Sequence, residues 1–312
     1  MSFNKQLLTH YGLGLGLRRS LTQETLQFYS QPDNQGLLEW LEIVTENYIA
    51  LCGMKAKQFQ EVLDSKIPLI PHGVNLSIGT APESPGKACF DSFLINEMHE
   101  LFAKINPPWF SDHLSCTRIN GYYMQDLIPL PFTQETVNIV CDNINFLQDE
   151  FQLPFLIENP SFYTTLIEPE MKEAEFINAI LTKADCGMLL DVNNIYVNAT
   201  NHEYYDPIEF LNELDLDRVV QVHIAGHLDG YESRTGQTIK ILDTHGDTIK
   251  QEVYKILEEL LKRTKVNAIL LERDSNFPIF PELVEELKEI RRIMNKYDSA
   301  LQHTTRNLQL PS

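Results

Sequence analysis

The sequence predicts a single-domain (β/α)8 barrel, an α/β fold in which eight parallel strands alternate with helices. Eight short runs of apolar and β-branched residues recur along the chain, and amphipathic stretches lie between several of them. This alternation favours a parallel sheet, because each helix carries the chain back to the start of the next strand. The length of 312 residues also fits such a barrel.

The individual elements follow from the spacing of apolar residues within each segment. The predicted strands cover residues 12–18, 37–46, 67–76, 109–116, 153–159, 187–192, 218–226 and 268–274. The clearest predicted helices cover residues 92–105, 133–151, 246–264 and 281–297. No repeat or Pro/Gly-rich linker divides the sequence, so we predict one domain over residues 1–299 and a polar, loosely ordered tail over residues 300–312.

A doubly wound open sheet is the main alternative fold. Its dinucleotide-binding form needs a G-x-G-x-x-G sequence that enters a helix. Here Gly12, Gly14 and Gly16 alternate instead, which suits a tightly packed first strand of a barrel.

Composition restricts the partners and the compartment. A net charge of −19 argues against nonspecific nucleic-acid binding, which needs clustered Lys and Arg, and favours a basic partner if any. No segment has the apolar length of a membrane span or the form of a signal peptide. The five cysteines are scattered without CxxC spacing, as in a reducing compartment. We therefore expect a cytoplasmic protein that binds neither membrane nor nucleic acid.

Ionisable and polar side chains stand at or after the ends of the predicted strands. In a (β/α)8 barrel these ends and the loops after them build the active site. The candidates are His72, His113, Glu158, Asp191, Asn194, His223, Asp243, His245 and Glu272.

Each candidate taken alone has an ordinary structural explanation. A strand histidine is usually a hydrogen-bonded rim residue, and Asp191 could simply form the turn in LLDVNN. Taken together, four histidines and four carboxylates at one rim would be too costly to bury unpaired. Metal ions resolve that cost, and eight such groups exceed the needs of one ion, so the sequence predicts two or three. Imidazole, carboxylate and carboxamide ligands suit Fe, Mn or Zn.

Other catalytic classes explain the pattern less well. The sequence has no G-x-S-x-G nucleophile motif and no P-loop. A retaining glycosidase could use Glu158 and Glu272, but it gives no reason for the histidines.

Seven motifs in this order resemble the multinuclear non-heme iron-dependent oxidative enzymes. They are IPHGVNLSIG, WFSDHLS, IENPSFY, LLDVNNIYVNATN, VVQVHIAGH, LDTHGD and LLERDSNFP. The family includes the methanobactin-biosynthesis iron enzyme and relatives that modify ribosomally made peptides. The resemblance runs from about Gly12 to Pro278 and differs at Asp112, where relatives usually have Glu.

The resemblance implies a TIM barrel with two or three iron ions of mixed Fe(II)/Fe(III) state. One ion would be held by His72, His113 and Glu158. A second would share Glu158 and add Asp191, His223 and Glu272, and a third would use Asn194, Asp243 and His245. The catalytic group would be His72, Glu158, Asp191, His223 and Glu272.

The resemblance also implies the reaction, which is O2-dependent oxidation of a precursor-peptide side chain, at Cys or at Asp or Asn. Glu46 and Asn47, at the end of the second strand, would position substrate or support the ligands. A separate leader-binding protein is the expected partner. A metal-dependent sugar isomerase or phosphodiesterase on the same barrel, or a protein that stores metal, stays open as an alternative.

Overall fold

The computed structural model describes residues 3–82, 89–119, 122–164, 168–202, 206–232 and 238–308. The strands are β1 (Gly12–Gly16), β2 (Trp40–Val44), β3 (Leu69–Gly73), β4 (Phe110–His113), β5 (Ser115–Ile119), β6 (Tyr122–Pro129), β7 (Phe155–Glu158), β8 (Gly187–Asp191), β9 (Val219–Ile224), β10 (Leu228–Glu232), β11 (Thr238–Leu242) and β12 (Ala268–Leu271). Eight of them close into a barrel in the order β1-β12-β9-β8-β7-β4-β3-β2. Every neighbouring pair is parallel, which confirms the predicted (β/α)8 fold.

Helices alternate with the barrel strands. They are α1 (Thr22–Tyr29), α2 (Gly53–Asp64), α3 (Ser92–Ile105), α4 (Gln134–Phe151), α5 (Glu173–Lys183), α6 (Val192–Asn201), α7 (Pro207–Glu213), α8 (Gln251–Leu261) and α9 (Phe280–Leu308). Their ends follow local chemistry: the Thr133 side chain accepts a hydrogen bond from the Thr136 backbone and so starts α4. In the described part of the chain, no helix combines the length and the apolar character that crossing a bilayer requires.

The last helix, α9, extends beyond residue 299, where the sequence predicted that the folded domain ends. α9 continues to Leu308, through most of the segment assigned to a loose tail. The division at residue 299 stays a prediction, because side chains are not described beyond Tyr297.

Two β-hairpins extend the barrel at the ends of strands, and the sequence did not reveal them. β5 and β6 pair directly after β4, and β10 and β11 pair after β9. The predicted fourth strand, residues 109–116, therefore runs from β4 into β5 across a break at Leu114. Both hairpins follow strands that carry candidate ligands, so they lie on the same side of the barrel as those ligands.

Side chains inside the barrel form two layers. The lower layer is an apolar cluster whose residues come from six barrel strands and from the position just before a seventh, β4. Phe3, Leu8 and Tyr11 pack against this cluster. The cluster consists of Trp40, Ile70, Trp109, Leu156, Leu189, Val220, Ala268 and Leu270. Gly14 makes room for it, because a Cβ there would lie 2.3 Å from the Trp40 ring. The alternating pattern of a strand then places the next inward side chain two residues further on, and that layer is polar.

Candidate metal centre

The upper layer collects the predicted ligands at the C-terminal ends of the strands. The layer contains His72 of β3, His113 of β4, Glu158 of β7, Asp191 of β8 and His223 of β9. Glu272 lies one residue beyond the end of β12, which stops at Leu271 and is shorter than the predicted strand over residues 268–274. All except His113 are buried. The closed barrel therefore brings together side chains that are far apart in the sequence.

The Glu158 carboxylate is the centre of the first group. Its Oε2 atom lies 3.0 Å from His72 Nε2 and 3.3 Å from His113 Nε2. The other ring nitrogen of His72 contacts Ser111 Oγ at 2.8 Å, which keeps Nε2 turned toward Glu158. The ligand atoms of these two histidines and Glu158 are close enough to hold one metal ion.

The same carboxylate belongs to a second group. Glu158 Oε1 lies 3.4 Å from His223 Nδ1, and that nitrogen lies 2.9 Å from Glu272 Oε2. Asp191 completes this group, whose four ligand atoms lie within 4.8 Å of one another. The two oxygens of Glu158 thus face different histidines, and the carboxylate belongs to both groups.

His245 stands between two pairs of carboxylates. Its Nε2 atom lies 2.7 Å from Asp243 Oδ1 and 3.6 Å from Asp191 Oδ2. Its Nδ1 atom lies 3.2 Å from both Glu272 Oε2 and Asp274 Oδ2. The structure therefore joins His245 to Asp243, as the resemblance implies, but it also groups His245 with Glu272 and Asp274 as possible ligands.

Asp191 ends β8 and caps α6, and Asn194 lies in the first turn of that helix. Asp191 Oδ1 accepts a hydrogen bond of 2.8 Å from the Asn194 backbone and so caps the helix. Asn194 Nδ2 donates to the Asn159 backbone carbonyl. Each side chain thus uses one polar atom locally, and in the described chain Asp191 Oδ2 and Asn194 Oδ1 have no hydrogen-bond partner. Asp191 therefore forms the turn through Oδ1, while its second oxygen, Oδ2, is available to bind a metal ion.

Glu46 and Asn47 lie in the short 3-10 turn after β2. Glu46 Oε1 accepts hydrogen bonds from the Val74 and Asn75 backbones, at 2.9 and 2.7 Å, and so holds the loop that follows His72. Asp112 holds the same loop through the Leu76 backbone at 2.9 Å. The Asn47 side chain is exposed. This geometry fits a supporting role for Glu46 and leaves Asn47 accessible to a substrate.

Burial and the facing charges shift the pKa values of the upper layer in opposite directions. Burial alone would raise the pKa of Glu158, but the three facing imidazoles outweigh it and hold that pKa well below its usual range. Burial would lower the pKa of His113, yet the Glu158 and Asp112 carboxylates raise it to about 9. Asp191 differs, because burial and then the charges of neighbouring carboxylates raise its pKa well above its usual range. A nearby cation would therefore favour the ionised form of Asp191.

The residues present fit bound metal ions. Within the described residues, the buried ligand-type atoms that have no hydrogen-bond partner include Glu158 Oε2, Asp191 Oδ2, Asn194 Oδ1, His223 Nδ1, His245 Nε2 and Glu272 Oε2. Buried polar atoms normally find a partner, and a set of this size, packed within ligand distance of one another, fits one or more bound cations. These atoms are all nitrogen or oxygen donors, which suits Fe, Mn or Zn.

Sequence reasoning missed two carboxylates beside the layer. Glu42 of β2 lies 2.8 Å from His223 Nε2 and is almost completely buried. Asp274 follows Glu272 by two residues, contacts His245, and also pairs with Arg18. Glu42 carried a usable signal: it shares the inward face of β2 with Trp40, so it had to point into the barrel.

Comparison with known proteins gives one family and a set of relatives. The family model described as RiPP precursor modification enzyme MbnB/TglH/ChrH matches residues 12–295. A UPF0276 protein of Haemophilus influenzae is 37% identical over 305 residues, covering 92% of this chain and 95% of that protein. A UPF0276 protein of Shewanella loihica is 38% identical over 301 residues, covering 96% of this chain and 100% of that protein.

Solved structures with the same architecture are distant in sequence. The IOLI protein with a binding zinc atom aligns with a TM-score of 0.55 at 14% identity, over 92% of this chain and 99% of that one. A D-allulose 3-epimerase from Methylomonas sp., in complex with D-allulose, aligns with a TM-score of 0.55 at 13% identity, over 98% and 99% of the two chains. At such low identity these likenesses show the fold alone.

Proposed function

This chain belongs to the RiPP precursor modification enzymes, whose family model matches residues 12–295, and we propose that it oxidises a side chain of a ribosomally made precursor peptide. The proposed oxidant is O2, and the proposed cofactor is a centre of two or three iron ions in mixed Fe(II)/Fe(III) state. Cysteine is the proposed target, with Asp or Asn as alternatives. The observation that carries the proposal is the layer of buried ligand-type atoms that, within the described chain, lack hydrogen-bond partners.

The proposed ligands divide into three sets. His72, His113 and Glu158 would hold one ion, and Glu158 with Asp191, His223 and Glu272 the next. Asn194, Asp243 and His245 would hold a third. When bound, iron would supply the electron transfer to O2 that amino-acid side chains cannot.

The chain itself contributes position and exclusion of water. Ser111 keeps His72 turned inward, and Asn159 exchanges two hydrogen bonds with the Asp191 backbone. The apolar layer below closes the floor of the site. We propose that Glu46 and Asn47 support the ligand loop and position the peptide at the open side. Fixed ligands in a dry, shaped cavity are what the protein adds to metal chemistry.

We propose a separate leader-binding protein as partner and the cytoplasm as compartment. An acidic chain, with a net charge of −19, suits a basic leader or partner surface. All five cysteines, which lie among the described residues, are free thiols. Free thiols accord with a reducing compartment.

The test is co-expression with a short Cys-containing precursor encoded beside the gene, followed by intact-mass measurement of the peptide. We expect protein purified without air to contain iron and to change the peptide mass only when O2 is supplied. His223→Ala should abolish the change, because it removes a buried ligand. His99→Ala is the matched control, since His99 lies on α3 and pairs with Glu150 at the surface.

Two results would contradict the proposal. A colourless protein that works with Mg, Mn or Zn and ignores O2 would be an isomerase or hydrolase on the same barrel. A protein that binds iron but never consumes O2 would fit metal storage instead.

A further inference from the structure

Four buried side chains, the last of which is His223, are connected by a continuous series of hydrogen bonds. The Trp109 indole donates to Gln221 Oε1 at 2.8 Å, and Gln221 Nε2 donates to Glu42 Oε2 at 2.6 Å. The same Glu42 oxygen lies 2.8 Å from His223 Nε2. None of the four side chains is more than 1% exposed. The chain joins the apolar floor of the barrel to a proposed metal ligand.

The donors in this chain fix the direction of every bond. Trp109 can only donate, so the oxygen of the Gln221 amide must face it and the NH2 group must face Glu42. An ionised Glu42 carboxylate can only accept, so Glu42 Oε2 accepts from Gln221 Nε2 and from His223 Nε2. The 3.1 Å separation of Gln221 Nε2 and His223 Nε2 agrees with two donors that meet at one oxygen.

Fixing the proton on Nε2 decides what Nδ1 can do. A neutral imidazole carries one proton, so Nδ1 is left with its lone pair. That nitrogen faces Glu158 and Glu272, and it has no hydrogen-bond partner among the described residues. The lone pair therefore points into the second group of ligands.

We propose that Glu42 is a positioning residue that selects the Nε2–H form of His223 and so makes Nδ1 a metal ligand. This inference rests on the proposed function and assigns a residue outside the ligand sets. A carboxylate that accepts from the far side of a ligating imidazole orients the ring and strengthens it as a ligand. His72 has only the neutral Ser111 hydroxyl in the same place, so His223 receives the stronger support.

A purely structural role explains Glu42 less well. The side chains around it in the lower layer are apolar, and a buried carboxylate there is costly compared with a hydrophobic residue of similar size. Glu42 follows Trp40 on the inward face of β2, where the layer changes from apolar to polar. The carboxylate is therefore placed for its contact with His223.

The experiment measures Fe(II) binding by the full chain without air, together with the Mössbauer spectrum of the 57Fe-loaded protein. For Glu42→Gln we expect one iron equivalent to bind about 10- to 100-fold more weakly, the usual effect of losing such a partner. The Mössbauer signal of that ion should change, and the signal of the ion at His72 and His113 should not. The amide introduced by Glu42→Gln can turn its NH2 toward His223 Nε2. That contact would favour the tautomer with the proton on Nδ1, which cannot bind a metal through Nδ1.

Several variants separate positioning from folding. Glu42→Met has a similar volume but no charge, and it should weaken iron binding in the same way. It replaces Glu42→Gln in the test if that variant does not fold. Glu42→Asp keeps the carboxylate and should recover part of the affinity. Glu39→Gln is the matched control, because Glu39 binds the Leu13 backbone and Arg291 at the other end of β2. In a His223→Ala background, Glu42→Gln should add no further loss of iron.

The outcomes are distinct. A wild-type protein that binds no iron would overturn the proposed function, and this inference with it. Unchanged iron affinity and spectra in folded Glu42→Gln would overturn the inference alone. A lower melting temperature of the metal-free variant with unchanged iron binding would identify Glu42 as structural, and would also overturn it.

Discussion

The two layers inside the barrel are built by the same strands two residues apart, yet they are stabilised in different ways. Leu156 lies below Glu158, Leu189 below Asp191, and Leu270 below Glu272. The lower residues pack against one another and need no partner. The upper residues are ionisable and mostly buried, and several of their atoms lack a hydrogen-bond partner among the described residues. The lower layer supports the barrel, and the upper layer depends on what binds there.

The energies of the layers differ in sign. Burying each apolar side chain of the lower layer contributes about 1.5–3 kcal/mol to stability. In the upper layer, burying each charge costs several kcal/mol in lost hydration, and only the opposite charges that face it offset this cost. Removing a side chain should therefore weaken the fold if it comes from the lower layer, and weaken metal binding if it comes from the upper one.

The largest effect is expected for Glu158→Ala. Because the two Glu158 oxygens face different histidines, the change should remove more than one iron equivalent and nearly all activity. His72→Ala should remove about one equivalent, since His72 serves one proposed ion. Metal analysis of both variants, purified without air, measures the difference.

Equal losses of one equivalent in both variants would make Glu158 an ordinary terminal ligand. Circular dichroism of each metal-free variant is the first control, because a barrel that fails to close would lose all its metal. Glu158→Gln keeps the side-chain volume and separates the loss of charge from the loss of packing.

The next effect is expected on stability. Leu156→Ala leaves a cavity in the lower layer and should lower the free energy of unfolding by about 2–5 kcal/mol. Iron content at saturation should stay at the wild-type value, because the side chain does not reach the ligands. Urea unfolding and metal analysis of one preparation measure both quantities, and a loss of iron in folded protein would break the separation between the layers.

The smallest effect is expected for Asp191→Asn in the metal-free protein. An amide can still cap α6 from position 191, so the local turn is kept. The amide has no ionised form for burial to penalise, so the metal-free variant should unfold at the wild-type temperature or slightly above it. Iron binding should nevertheless weaken. A clear fall in the melting temperature of the metal-free variant would mean that Asp191 stabilises the fold in its own right.

The sequence predicted the barrel and most of the upper layer because both depend on short patterns. A run such as LPFLIEN shows a buried strand and the carboxylate at its end in seven residues. The ends of parallel strands meet at one rim, so their polar residues could be grouped without knowing any distance. Which residues hold ions is still a prediction.

The rest depends on contacts that no local pattern records. Glu42 lies in β2 among apolar neighbours, and its partner His223 is 181 positions away. Asp274 contacts His245 only because the connection after β11 lies against the loop after β12. The hairpins β5–β6 and β10–β11 form separate two-stranded sheets that add no strand to the barrel wall. The eight-strand pattern of the barrel therefore gave no reason to predict them.

The closed floor determines how a long molecule can use this site. Trp40, Trp109 and their neighbours fill the barrel from wall to wall, and Phe3, Leu8 and Tyr11 cover them from outside. A polymer that reaches the histidines must leave through the opening by which it entered. It can offer a chain end or a bent loop, but it cannot be threaded through from one side to the other. Residues buried inside a folded substrate are therefore out of reach unless that part of the substrate unfolds.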